Sequence, residues 1–576
     1  MRIGVFVLLL LVMLSCDETS VNGQKKKMEM AQIQLDFSSK TASKLLKEGS
    51  FGKARMIFNE DTFKIKLSSS KGGYIVKLKG DDRILSAKEL LLRKGVASFA
   101  KISKMQDYAA ENDLLHLNIS SAKLAVNGNI LDSSFVLMEM PSKRVLERDS
   151  RKEGVIFYWN EDGIKILNED LFGAGYNEWL QDYISDITSN KNLNVKSFLD
   201  EVSLKKYLKV SKQLSNLWYI NPNSLELEPI INYEEGSFKW FSESEVFEGG
   251  LNNGNMRPLF SVDNLSGLNF ILKDEPNNKY TITKGKHKID EAIFFDYGYD
   301  IEIEAGASLD LINGAHLVIN GALIAKGEKN DKIKIFSSDK SSQGIAVFAE
   351  GKHSTLSHVH FNHLRHPEYT FWQASGSVLF FKGEVDLAHV KFEEDLAGDD
   401  YLNIVRGKFQ MNDCEFLNTF SDAFDGDFVE GDIRNIKMKG IGNDGLDFSG
   451  SEVYIEQGNF RNISDKAISG GEESELICKN IKIQKAEIGV ASKDASKVVL
   501  DVLKCSNNSI DLASFQKKND FSGAEIDVQS YSSENAKHKY LVEENSHIRV
   551  EELEMKSNSD KVEDLLYGEE YGKASK

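Results

Sequence analysis

Seven apolar residues in the C-terminal half recur at one unbroken interval of 22: Phe380, Leu402, Phe424, Leu446, Ile468, Val490 and Leu512. A second column, Met411, Ile433, Ile455, Ile477, Val499 and Phe521, keeps the same step. Two apolar columns locked to one period, with variable residues between them, mark a coiled repeat rather than a single globular core. If each repeat advances by one strand spacing, about 4.8 Å, every column stacks into an inward ladder. The spacing therefore predicts a right-handed parallel β-helix over 263–555. Earlier β-like stretches at 280–282, 301–303, 317–319 and 333–335 predict less regular first coils, with Gly306, Gly314, Gly321 and Gly327 at turns that need positive φ. An open solenoid exposes strand edges, and the preceding domain is expected to cover the N-terminal one.

The chain begins with Arg2, an apolar run from Ile3 to Leu14, Ser15 and Cys16. The run is too short to span a bilayer and suits a secretory signal over 1–15. Met13-Leu14-Ser15-Cys16 resembles the bacterial lipoprotein signal, although Met stands where Leu is commonest. That resemblance implies lipidation at Cys16 and export to the bacterial cell envelope, anchored there by lipid; the alternative is a plain signal peptide cut nearby. A polar tether over 16–31 follows, containing Lys25-Lys26-Lys27.

A net charge of −18 argues against a nucleic-acid partner, because phosphate would be repelled. Beyond the signal only Cys414, Cys478 and Cys505 remain. An odd number without metal-ligand spacing speaks against a disulfide framework or a zinc site and for small buried thiols.

Between the tether and the repeats, 32–240 mixes strand-like stretches (63–67, 74–78) with helix-like ones (87–97, 176–189), which predicts an α+β domain. A Gly/Asn-rich linker at 241–262 and a charged tail at 556–576, which frays or caps the last coil, bound the solenoid. Within the α+β domain stand Val76-Lys77-Leu78-Lys79-Gly80-Asp81, Leu124-Ala125-Val126-Asn127-Gly128, Arg151-Lys152-Glu153-Gly154-Val155-Ile156, Trp218-Tyr219-Ile220-Asn221-Pro222 and Leu227-Glu228-Pro229-Ile230. In this order they resemble the CotH-type, spore-coat kinase-like domains of exported bacterial proteins. The resemblance implies a kinase-like fold and a metal site, but Tyr233 stands where it implies a metal-binding aspartate, with Glu234 and Glu235 following. Leu137-Met138-Glu139 keeps one of two expected glutamates, and no acidic residue lies between Glu201 and Glu226, although Asn216 matches the expected asparagine. Phosphoryl transfer depends on carboxylates that hold metal ions, so the departures predict a pseudokinase scaffold rather than an active kinase. Gly49-Ser50-Phe51-Gly52 lacks the lysine and hydroxyl of a phosphate loop.

Flanking the first apolar column is an acidic pattern. Asp400, Asp422, Asp444 and Lys466 stand two residues before it; Asn403, Asp425, Asp447 and Ser469 stand one after. Asp422, Asp425, Asp427, Asp444, Asp447, Asp465, Lys466, Glu472, Lys493 and Asp494 make a candidate acidic face, with Asp425 and Asp447 as candidate ligands for Ca²⁺ or Mg²⁺. Asp and Asn also favour turns for local hydrogen bonding alone. Stacked like charges repel unless Lys466, a cation or a raised pKa compensates. The strings here also resemble β-helices attached to CotH-type domains and, more distantly, polysaccharide lyases and hydrolases.

Three function classes follow: a surface scaffold that binds a glycan, a cation or a surface protein; a carbohydrate-active enzyme using the acidic face as general acid and base; and an extracytoplasmic kinase. A sugar-stacking row of His363, His366, Tyr369, Phe371 and Trp372 beside the acids would favour the second.

Overall fold

The computed structural model describes residues 31–47, 49–70, 73–79, 82–95, 99–152, 154–160, 163–167, 217–220, 227–231, 265, 267–369, 372–518, 521–559 and 562–566. The signal, Cys16, the helix-like stretch 176–189, Tyr233, Glu234, Glu235 and the 241–262 linker lie outside them. Two compact units emerge: one takes the described residues up to 106 together with 118–140, the other takes 107–117 and everything described from 141 onward.

The first unit is a closed barrel of β1 (Ala31–Phe37), β2 (Gly52–Phe58), β3 (Asp61–Ser70), β4 (Gly73–Leu78), β5 (Glu89–Lys94), β6 (Ile119–Val126) and β7 (Asn129–Glu139), in the order β1-β2-β3-β4-β5-β7-β6. A parallel seam between β1 and β6 completes it, removing exposed edges. Ile33, Leu35, Ile65, Leu67, Leu90, Leu92, Leu124 and Leu137 fill its interior. The strands expected at 63–67 and 74–78 are present, inside β3 and β4. The helix expected at 87–97 is not. Residues 89–94 form β5, antiparallel to both β4 and β7, because Leu90 and Leu92 alternate into the core and pairing with two neighbours outweighs leucine's helix preference. Asn127 and Gly128, both at positive φ (+49° and +81°), make the two-residue turn from β6 to β7.

The second unit contains a parallel β-solenoid of about 12 turns over 279–550, as the period predicts. Each turn contributes to three sheets. On the first, 384–388, 408–412, 430–434, 452–456 and 475–479 stack in parallel. On the second, 285–289, 307–311, 333–336, 359–362 and 391–393 begin the stack. The third carries 376–381, 400–405, 422–427 and 446–449. Leu402, Phe424, Leu446, Ile468, Val490 and Leu512 pair in one continuous inward ladder, all fully buried.

Corners recur with the same period. Arg406, Phe428, Gly450 and Glu472 are left-handed at one corner, and Asp413, Asn435 and Gln457 at another. Gly306 and Gly314 have the expected positive φ. Gly321 serves a different need, since a Cβ there would lie 2.1 Å from the Tyr299 carbonyl oxygen of the coil below.

Both columns depart from a strict step of 22 at their ends. Phe380 pairs with Ile404, and Leu402 with Val378, so the coil there spans two residues more. Parity is unchanged and both stay inward. In the second column Ile455 pairs with Cys478, not Ile477, because Glu472 and Glu473 are both left-handed and add one residue at the corner. One residue reverses the side-chain direction. Ile477 is accordingly 50% exposed and Cys478 fully buried. Val499 is half-buried and pairs with Asp527, while buried Phe521 lies outside the regular strands.

At its start the solenoid's first strand, Lys279–Ile282, is paired by the antiparallel strand Ile271–Asp274. At its end Leu553–Glu554 lies antiparallel to His547–Val550. From the tail, the helix Val562–Leu566 packs against the outer side of the third sheet, burying Val562 and Leu566 with Ile488, Ile510 and Phe515 rather than capping the last coil. Among the described residues no helix is long and apolar enough to cross a membrane.

Candidate functional site

Strand alternation decides which aspartates meet. With Leu402, Phe424 and Leu446 pointing inward, neighbours at odd offsets point outward from the third sheet. Asn403, Asp425 and Asp447 stack in one outward column; Asp400 and Asp422, at an even offset, pair in register where Tyr401 with Leu402 and Ala423 with Phe424 both enter the core and interrupt the alternation. Asp422 Oδ1 accepts the Asp444 backbone N–H at 2.8 Å, and Asp444 Oδ1 accepts the Lys466 backbone N–H at 2.8 Å. Each side chain thus secures the next coil's backbone, the turn role expected of aspartate. One carboxylate oxygen from each of Asp422, Asp444 and Asp447 lies within 4.8 Å of the others.

Three lysines offset part of this charge. Lys466 Nζ lies 3.0 Å from Asp444 Oδ2 and 2.8 Å from Asp465 Oδ2. Lys493, two coils away, reaches Asp447 at 3.3 Å. Lys152, from outside the solenoid, sits 2.7 Å from Asp427 and 3.7 Å from Asp425. Asn403 Nδ2 donates to Asp425 Oδ2 and, at 3.3 Å, to Asp427 Oδ2. Among the described residues, seven carboxyls (Asp400, Asp422, Asp425, Asp427, Asp444, Asp447, Asp465) therefore face three ammonium groups.

The imbalance sets the protonation states. Burial, and then the neighbouring Asp444 and Asp447 charges, push the Asp422 carboxyl well above its ordinary range. Burial and Asp425 do the same to Asp400, whose Oδ2 is buried without a hydrogen-bond partner. Asp425 is raised by burial and by Asp427 against the pull of Lys152. Asp444 is raised by burial despite Lys466. Asp447 goes the other way: burial would raise it, but Lys493 and Lys466 outweigh burial and hold it below the usual carboxylate range. Carboxyls that favour a proton thus stand beside one held ionised. Asp422, Asp444 and Asp447 together could hold a hard divalent cation through oxygen.

Lys152 had no periodic signal in the sequence, and the structure explains its position. It follows Arg151, which is 2% exposed and donates to Glu228 Oε2 at 2.7 Å and to Asp113 Oδ1 at 2.7 Å. Tyr219 Oη donates to the Lys152 carbonyl at 2.7 Å. β8 (Val155–Asn160), β9 (Gly163–Ile166), β10 (Leu217–Ile220) and β11 (Leu227–Pro229) form the small sheet that carries these residues, in the order β11-β10-β8-β9. Arg406, on the solenoid, completes the tie by pairing with Asp113 at 2.5 Å. Arg151, Tyr219 and Glu228 thus hold Lys152 against the acidic columns.

Two candidates leave the cluster. Glu472 pairs with Lys518, and Asp494, fully buried, accepts the Lys517 and Lys518 backbone N–H groups at 2.8 and 2.6 Å. Both occupy the left-handed corner, which turns them away from the outward columns. Of the residues that could form a sugar-stacking row, His363 bonds Glu394 at 2.8 Å and His366 bonds Gln373 at 2.9 Å. Tyr369 and Trp372 pair across a short antiparallel bridge, and Phe371 lies outside the described residues. Cys414, Cys478 and Cys505 are buried free thiols, and burial pushes Cys414 and Cys478 up to about 12, which removes them as nucleophiles.

No protein-family model matches this chain, and no curated protein matches it.

Proposed function

We propose that this protein is an exported, lipid-anchored envelope scaffold whose solenoid binds its ligands through charged outer faces, with a hard divalent cation, Ca²⁺ or Mg²⁺, at Asp422, Asp444 and Asp447. The observation that carries the reading is the convergence of those three carboxylates from two successive coils to within 4.8 Å, in a cluster where acids outnumber lysines. A cation there would replace the protons that burial otherwise favours. The CotH-type, right-handed β-helix reading of the chain belongs to this proposal: the N-terminal region serves recognition without catalysis, because Tyr233 replaces the metal-binding aspartate that the resemblance implies.

Calorimetric titration of the full chain with Ca²⁺ and with Mg²⁺ tests the cation. Binding with proton release is expected, and the Asp422→Asn/Asp447→Asn variant should lose it. Absence of binding, or equal binding by the variant, would leave these groups as turn residues neutralised by lysine and protons.

One observation favours a second reading. Asp422, whose carboxyl burial and neighbouring charges push up, lies beside Asp447, whose carboxyl Lys493 and Lys466 hold down, the pairing of a general acid with a base in glycan cleavage. Release of new reducing or unsaturated ends from a polysaccharide by the native chain, but not by the same double variant, would establish that chemistry in place of simple binding.

A further inference from the structure

The three solenoid sheets differ in what their outer faces offer. The third is occupied by Lys152 and the helix Val562–Leu566. The first is acidic: Glu430, Glu452 and Glu475 stack on successive coils. The second is basic, in a chain whose net charge is −18.

Its central outward column reads Lys286, Ser308, Lys334, His360, Lys391, Glu415, Lys437, Asn459, Lys482 and Lys504, each paired in register with the next. Six of these ten positions are lysine and one is glutamate. The column two residues further along the same face is mixed, with Lys288, Lys439 and Arg461 against Asp310, Glu393 and Glu534. Lys286, Lys334, Lys437, Lys482 and Lys504 are exposed and have no ion-pair partner among the described residues; Lys391 is paired to Glu393 at 2.7 Å. Nine coil steps of about 4.8 Å make the stripe roughly 43 Å long. At its N-terminal end Lys286, Lys288, Lys334, half-buried Phe336, His360 (bonded to Glu393) and Asp310 (accepting from Ser338) line a cleft of about 500 Å³.

We propose that this second sheet is the docking face for a linear acidic polysaccharide, a polymer carrying carboxylate or sulfate groups along its length. Unneutralised lysines stand one coil apart at Lys482–Lys504 and two coils apart at Lys286–Lys334 and Lys437–Lys482, and a polyanion lying along the solenoid axis relieves their repulsion. An anionic membrane would also attract the stripe. The cleft with its aromatic ring favours sugar, since a pyranose can stack on Phe336 while its acid groups meet Lys286 and Lys334. The proposal supplies a ligand class for the scaffold reading and uses a different face from the cation site, so the two can fail separately.

The test uses the full chain with polygalacturonate as the acidic polymer, dextran as the neutral one, and vesicles containing phosphatidylglycerol. Polygalacturonate should bind, dextran should not, and rising salt should weaken the interaction because exposed charges are screened. Lys334→Glu/Lys437→Glu/Lys482→Glu should weaken polygalacturonate binding at least tenfold, with an unchanged melting temperature, and leave vesicle association unaltered. Asp422→Asn/Asp447→Asn should bind the polymer as the native chain does. Failure of polygalacturonate to bind, insensitivity to the triple reversal, loss in the aspartate variant instead, or an effect of the reversal on vesicles alone would each overturn the proposal.

Discussion

Asp395 shows in isolation what burial does to a carboxyl in this protein. It is 5% exposed, accepts the Phe420 backbone N–H at 2.6 Å, and has a second oxygen without a hydrogen-bond partner. Burial pushes it from 3.8 up to about 7, with hydrogen bonds only partly opposing. The folded state therefore binds its proton more tightly than the unfolded chain does. The resulting stabilisation is complete below about 3.8 and is lost as pH rises through about 7. Asp395→Asn keeps an oxygen for the Phe420 N–H without the charge. The variant should match the native chain near pH 4 and exceed its stability near pH 8, and urea unfolding at the two pH values checks this. Equal stabilities at both would mean that Asp395 is not held protonated. Asp447 has the opposite sign: held low by Lys493 and Lys466, it stabilises above the unfolded carboxylate value and loses that contribution as pH falls. The positions of the aspartates were legible from their period. Their charge states were not, because burial and lysine proximity are properties of the assembled cluster.

A solenoid element tolerates changes in coil length only at its corners, and the outcome depends on parity. The coil joining Phe380 to Ile404 spans two residues more than the regular period, and the ladder stays inward. The single residue added at Glu472-Glu473 exchanges Ile477 for Cys478 in the core. Ile477→Lys should then change stability by no more than about 0.5 kcal/mol, as for other surface substitutions. Cys478→Lys should cost about 4 kcal/mol or more, the range for burying an unpaired charge. Chemical denaturation of the two variants compares them directly, and a larger loss for Ile477→Lys would restore the unshifted register. The insertion escaped the periodic reading because the inserted coil still places an isoleucine at the regular position, and hydrophobicity alone cannot tell a displaced column from a continuing one. β5 escaped for a related reason: its leucines suit a helix locally, and only two adjacent strands make the extended form preferable.

In the whole molecule, a non-repeating segment is tied to the repeats by charge. Lys152 meets Asp427 across 275 residues of sequence, supported by Arg151, Tyr219 and Glu228 and by the Arg406–Asp113 pair. Lys152→Met should destabilise the chain, and Asp427→Asn introduced with it should recover part of the loss. A double-mutant cycle is expected to give a coupling of about 1–3 kcal/mol. Additive effects would mean that the contact contributes nothing specific. By itself the sequence determined the solenoid, its inward ladder and the stacking of its aspartates, because a period repeated over many coils states each position several times. Tertiary structure alone decided which outer face is covered, which lysine neutralises which acid, and that the free faces carry opposite charge. Those outcomes depend on single residues brought together from distant coils or from outside the repeat, and one residue used once leaves no periodic trace.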